Sequence, residues 1–174
     1  MKVVRLPLDA GALADTERIF FEASGRAFEP GPEREAFRER WLGRFLERWP
    51  ELALGLRDDA TRHIVGYLVG CVENPALSPH FADLDYFREF APLCSRFPAH
   101  LHINLDPDYR GRGHGQQLIE AFAGLARARG APGMHVVTAA EARNVGFYAR
   151  AGFHEAGRTQ WNGRTIVMLG RGLA

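Results

Sequence analysis

The spacing of apolar positions along this chain changes period several times, and each change marks an element. The run "VVRLPL" at 3–8 reads as a first strand. In the following stretch, "DAGALADTERIFFEASGRAF", Leu13, Ile19, Phe20 and Ala23 recur at helical spacing and Gly25 supplies a stop. Residues 32–49 predict a second helix with an apolar face of Phe37, Trp41, Leu42, Phe45 and Trp49, ended by Pro50. Strands near 52–57 and 63–72 then form a hairpin about a polar turn at 58–62. Segment 74–98 has no clean period. "NPALSPH" reads as loop and "FADLDYFREF" as a short helix, with Phe81, Tyr86, Phe87, Phe90 and Phe97 as local core or, alternatively, as a lid over a cleft. A strand at 99–105, a glycine-rich turn, a helix from about Gly113 to Arg129 and a strand at 133–139 follow. A short helix at 142–152 and a terminal hairpin turning at Asn162-Gly163 complete the chain. This order predicts one domain over 1–174, of α+β class, built on a mixed, mostly antiparallel sheet of about seven strands flanked by helices.

Composition adds exclusions. The 174 residues carry a net charge of +1, which favours neither nucleic acid nor a membrane surface as partner. Cys71 and Cys94 stand singly, as expected of two unpaired thiols in a reducing compartment. The N-terminal apolar run is too short for a secretory signal, and no run approaches the roughly 20 apolar residues that span a bilayer. A soluble, cytoplasmic protein is expected.

The chemistry concentrates in "RGRGHGQQL", where Gly111, Gly113 and Gly115 alternate with Arg112 and His114. A dinucleotide fingerprint would need glycine at the position of Gln116, and a phosphate-binding P-loop would need a lysine. An arginine–glycine segment for nucleic acid would lie in a disordered region, whereas this loop joins an apolar strand to a helix. Successive backbone N–H groups in such a loop form a nest, the helix N-terminus adds partial positive charge, and Arg110 and Arg112 add two full charges. The loop therefore calls for an anion; a plain strand-to-helix turn is the alternative.

The run "INLDPDYRGRGHGQQLIEAF", with Arg110-x-x-Gly113-x-Gly115, resembles the acetyl-CoA-binding motif of the GNAT superfamily of N-acetyltransferases. The resemblance implies an α/β/α fold. It also implies that the loop of Arg110, Gly111, Arg112, Gly113, His114, Gly115 and Gln116 holds the cofactor's pyrophosphate. Ile103, Asn104 and Leu105 would then offer their backbone to the pantetheine arm and the acyl carbonyl. His114 departs from the family, where an aliphatic residue is usual.

A second motif, "NVGFYARAGF", matches the family's Phe-Tyr-x-x-x-Gly-Phe pattern at Phe147, Tyr148, Gly152 and Phe153. By resemblance Tyr148 protonates the leaving thiolate, a task suited to a hydroxyl of ordinary pKa near 10. A tyrosine packed in the core is the alternative. The asparagine that often stands seven residues earlier is replaced by Glu141, so Asn144 is the cofactor contact expected here. "FPAHLHINLDP" is also similar to bacterial acetyltransferases related to the acetyltransferase-like C-terminal domain of O-GlcNAcases.

Attack by an amine on a thioester requires a proton acceptor. Residues 96–105 contain no carboxylate but carry His100 and His102, suited by type to proton relay near neutrality. His102 is the first candidate and His100 the second, with hydrogen bonding inside the sheet as the alternative for either. No metal is expected, because no third ligand accompanies this pair at a recognisable spacing. The reading is an N-acetyltransferase that moves an acetyl group from acetyl-CoA to an amine, small molecule or peptide, by direct attack in a ternary complex. The alternative is a non-catalytic acyl-CoA-binding sensor or interaction module. Both fit a monomer or a homodimer.

Overall fold

The computed structural model describes residues 1–6 and 9–173. Its secondary structure begins with β1 (Lys2–Arg5) and α1 (Ala10–Ser24). Positions 7 and 8 of the predicted first strand lie outside the described residues. Asp9 caps α1 by accepting a hydrogen bond from the Ala12 N–H at 2.8 Å. Gly25 ends the helix at φ 65°, a left-handed conformation in which glycine carries no Cβ penalty.

The predicted 32–49 helix is interrupted. It runs as α2 (Pro32–Arg38), a π-helical turn (Glu39–Gly43) and α3 (Arg44–Arg48), and the Arg44 N–H reaches back to the Glu39 carbonyl. The spacing of Phe37, Trp41, Phe45 and Trp49 explains this. Four-residue steps overrun an α-helical turn by about 40° each, and a π-turn absorbs the surplus so that the rings stay on one side.

β2 (Leu54–Arg57) and β3 (Ile64–Cys71) form the predicted hairpin. Between β3 and the next strand, the illegible segment contains α4 (Tyr86–Glu89) and α5 (Ala91–Arg96). Phe81, Tyr86, Phe87 and Phe90 there are each at most 4% exposed, so local core is what they form. β4 (Ala99–Leu105), α6 (His114–Ala128), β5 (Gly133–Ala139), α7 (Val145–Arg150), β6 (His154–Trp161) and β7 (Arg164–Gly172) complete the chain. The helix expected at 142–152 is thus shorter, because Gly152 takes φ 83° and stops it. The last hairpin turns through Asn162 and Gly163 at φ 48° and 74°, the double left-handed geometry of a type I′ turn.

The seven strands lie in the order β1-β2-β3-β4-β5-β7-β6. Pairing is antiparallel at β1–β2, β2–β3, β5–β7 and β6–β7, and parallel at β4–β5. The mixed, mostly antiparallel sheet flanked by helices is as predicted. Two compact units are distinguished, one of residues 1–70 and 102–122, the other of residues 71–101 and 123–174. In the first, Asp15 ties α1 to β3 by accepting the Ile64 N–H at 3.0 Å. In the second, Arg127 Nε donates to the Leu173 carbonyl at 2.7 Å and Arg171 to the Ala151 carbonyl at 3.0 Å, securing the chain end. Among the described residues no helix is long and apolar enough to cross a membrane.

Candidate functional site

The glycine loop belongs to the first unit and is held on three sides. Asp106, at the end of β4, pairs with Arg18 of α1 at 3.0 Å and caps the short turn after it by accepting the Asp108 N–H. The Tyr109 hydroxyl donates to Asp58 at 3.0 Å; the Ala60 N–H and this hydroxyl lower the Asp58 pKa, and the same bond raises that of Tyr109. Arg110 Nε donates back to the Leu105 carbonyl at 2.9 Å. That contact makes Arg110 first of all a staple between strand and loop, whereas the sequence suggested a charge facing the anion.

Beyond this staple Gly111 and Gly113 take φ 73° and 80°, with Arg112 between them. Each glycine faces open space where a Cβ would stand, so conformation rather than crowding demands glycine at both positions. Alternation of left-handed and ordinary residues turns consecutive N–H groups toward one side. The Gln117 N–H bonds to the Gly113 carbonyl and opens α6, which leaves the N–H groups of His114, Gly115 and Gln116 without intrahelical partners by helix geometry. The Gln116 side chain is engaged with Glu120 at 2.6 Å, so its contribution to a ligand is its backbone. Loop and helix end together turn backbone N–H groups to one side, an arrangement whose polarity suits an anion.

On β4 itself, His102 and Asn104 face an open cavity of about 300 Å³ in the same unit. Phe20, Ala23 and Ser24 of α1 form one wall, Phe37 and Trp41 another, and Tyr67 of β3 lines it from within the core. Asn104 Nδ2 donates to the Tyr67 hydroxyl at 2.7 Å. The His102 ring stands edge-on to Trp41 and Phe45, with centroids 5.3 and 5.2 Å away. Two aromatic neighbours thus fix the imidazole while it still borders solvent-accessible space. Trp41 reaches it from the π-turn.

His100, two residues earlier, lies in the second unit and is 4% exposed. Its ring meets Phe81 edge-on at 4.6 Å, stacks on His135 at 5.4 Å, and has Nδ1 3.6 Å from the Cys71 sulfur. Sequence spacing gave no sign that Cys71 has an imidazole neighbour. Burial nevertheless pushes the Cys71 thiol far up and the Cys94 thiol up to about 11, so neither is an activated nucleophile. Both are free cysteines. His135 is wholly buried, with its Nδ1–H donated to the Phe97 carbonyl and Nε2 without a partner. Desolvation lowers its pKa to about 4, so it is neutral at ordinary pH.

Tyr148 and its neighbours also belong to the second unit. Tyr148 is 5% exposed, packs edge-on against Phe153 at 5.6 Å, and has its pKa raised by burial. The second motif has a structural content of its own. Gly152 ends α7 in a left-handed turn, and the Phe153 N–H returns to the Tyr148 carbonyl. Phe147 packs on Tyr148 at 5.2 Å. The Asn144 side chain accepts the Thr138 hydroxyl at 3.0 Å, leaving its Nδ2 as its available donor.

Similarity to known proteins agrees with this geometry. A profile of the acetyltransferase (GNAT) family matches residues 14–153. The structure described as SsHAT shares 27% identity and a TM-score of 0.75, with both chains covered in full. A chain of the NatC complex bound to Gag peptide and CoA shares 20% identity at a TM-score of 0.64, again over both full chains. Naa20 of Chaetomium thermophilum, solved with a bisubstrate analogue, shares 19% identity at 0.65 over 99% of this chain and 86% of its own. The last two show the fold. With the profile spanning most of its length, this chain belongs to the acetyltransferase (GNAT) family.

Proposed function

We propose that the protein transfers an acetyl group from acetyl-CoA to the nitrogen of an amine, with His102 as proton acceptor. The observation that carries this reading is the anchored loop with Gly111 and Gly113 in left-handed geometry at the start of α6. Backbone N–H groups from Gly111 to Gln116, with the Arg112 charge, suit a pyrophosphate, and the backbone of Ile103 to Leu105 suits the arm that follows it. Coenzyme A, held in the NatC complex, has this chemistry.

The transfer forms a bond from nitrogen to the acetyl carbon and breaks the carbon–sulfur bond, while nitrogen loses one proton and sulfur ultimately gains one. His102 receives the proton from nitrogen, because it is the imidazole at the cavity and its ring is held edge-on by Trp41 and Phe45. Strand amides polarise the carbonyl. Tyr148, assigned through the family motif, keeps its proton firmly under burial, so its role is a hydrogen bond to the departing thiolate, which takes its proton from solvent. His100, enclosed by Phe81, Phe87 and His135, is assigned to the core.

Calorimetric titration with acetyl-CoA tests the cradle. Wild type is expected to bind, and Gly113→Asp to lose about two orders of magnitude in affinity, since a carboxylate and a strained left-handed Cβ both enter the loop. A folded wild type that binds neither acetyl-CoA nor coenzyme A would sink the reading.

A further inference from the structure

We infer that the cavity beside His102 is the acceptor site, and that it selects a monoamine carrying one compact, aromatic-sized apolar group over polycationic amines. The inference rests on the acetyltransferase reading above and adds the acceptor's chemical class. Three observations carry it.

The first is the lining. Four aromatic residues, Phe20, Phe37, Trp41 and Tyr67, line the cavity, and the polar residues lining it are His102, Asn104, Ser24 and the Tyr67 hydroxyl, which is bonded to Asn104. Among the described residues no carboxylate and no guanidinium lines it. An apolar environment disfavours an ammonium relative to the neutral amine, which is the form able to attack. The same environment has nothing to neutralise a second ammonium further along the acceptor.

The second is the charge around those rings. Arg26 lies over Phe28 at 4.5 Å and over Phe37 at 5.4 Å, and Arg34 over Phe21 at 3.7 Å. Cations of the protein thus already occupy the aromatic faces adjoining the cavity. Four carboxylates of α1 and α2 are engaged by arginines, Glu17 with Arg38, Glu22 with Arg18, Glu33 with Arg26 and Glu35 with Arg34, and Asp15 is engaged by His63 and the Ile64 N–H. A polyamine would meet arginines here rather than acids.

The third is size and placement. About 300 Å³ is the low end of small-molecule sites, room for one ring with a short chain. Because Asn104 and His102 share the β4 face that borders the cavity, an amine whose apolar group fills it presents its nitrogen to the imidazole. Trp41 is then a specificity-determining residue, since it both lines the cavity and braces His102.

The test uses the whole chain with 2-phenylethylamine and spermidine as the two probes. Saturation-transfer NMR on the protein without cofactor is expected to show 2-phenylethylamine bound and spermidine not. Turnover with acetyl-CoA is expected to favour 2-phenylethylamine in kcat/KM by about a hundredfold, the range a hydrophobic pocket achieves. Trp41→Ala should raise the KM for 2-phenylethylamine about tenfold without moving that for acetyl-CoA. Ala23→Phe, at an exposed position of α1 that borders the cavity, keeps the test open should the tryptophan variant misfold, and should block the same amine by filling the space. Spermidine preferred, 2-phenylethylamine binding unchanged in Ala23→Phe, or a peptide N-terminus used better than either amine would each overturn the inference. Amine binding without acetyl-CoA binding would instead overturn the acetyltransferase reading and leave the cavity's selectivity standing.

Discussion

His100 and His102 sit two residues apart on β4, are the same residue type, and meet opposite surroundings. His102 borders an open cavity between Trp41 and Phe45. His100 is packed among Phe81, Phe87, His135 and the Cys71 sulfur at 4% exposure. An imidazole relays protons only where a substrate and water can reach it, so access separates the two roles. A histidine closed off by rings and sulfur contributes packing.

The widest separation between the two should appear in turnover. His102→Gln is expected to lower kcat by about two orders of magnitude, the usual worth of a positioned general base, with acetyl-CoA affinity retained. Free imidazole should restore part of the rate to His102→Ala. His100→Phe should leave kcat within a fewfold of wild type. Steady-state kinetics with calorimetric cofactor binding decides, and equal losses at both positions would dissolve the distinction.

The buried side of the comparison has its own signature, in stability. His135, stacked on His100, has a folded pKa lowered from 6.5 to about 4. Between those values the unfolded chain binds the extra proton, so stability rises with pH and is lost as pH falls from 6.5 toward 4. The expected loss is about 3 kcal/mol at the acid end. Urea unfolding at pH 7 and pH 4.5 measures it, and His135→Phe should flatten that slope.

Tyr148 sharpens the comparison with a smaller effect, being as buried as His100 yet assigned a part in the chemistry. Tyr148→Phe is expected to cost about tenfold in kcat, since a hydrogen bond rather than a full proton transfer is lost, and to leave acetyl-CoA binding unchanged. An unchanged kcat would make Tyr148 a core residue with no part in the chemistry.

Local signals carried most of the fold. Asp9 and Gly25 mark the ends of α1, Asn162-Gly163 marks the terminal turn, and apolar runs mark the strands that form. The glycine loop's geometry was equally legible, because strand exit, left-handed glycines and helix start are contiguous from Leu105 to Gln116. The four-residue spacing of Phe37, Trp41, Phe45 and Trp49 was a visible sign of the π-turn, but it reads as an ordinary apolar helix face until the backbone bond from Arg44 to Glu39 is seen.

What the sequence by itself determined was therefore whatever neighbouring residues settle among themselves: element type, caps, turns and the left-handed glycine loop. The tertiary structure decided the rest. The cavity draws walls from α1, α2, the π-turn, β3 and β4, residues from 20 to 104 that no spacing rule relates. The choice between His100 and His102 was likewise closed to sequence, because alternation places both on one face of β4. Which rings pack over each imidazole depends on elements folded from elsewhere in the chain, and it is that packing, not the strand, that opens one site and buries the other.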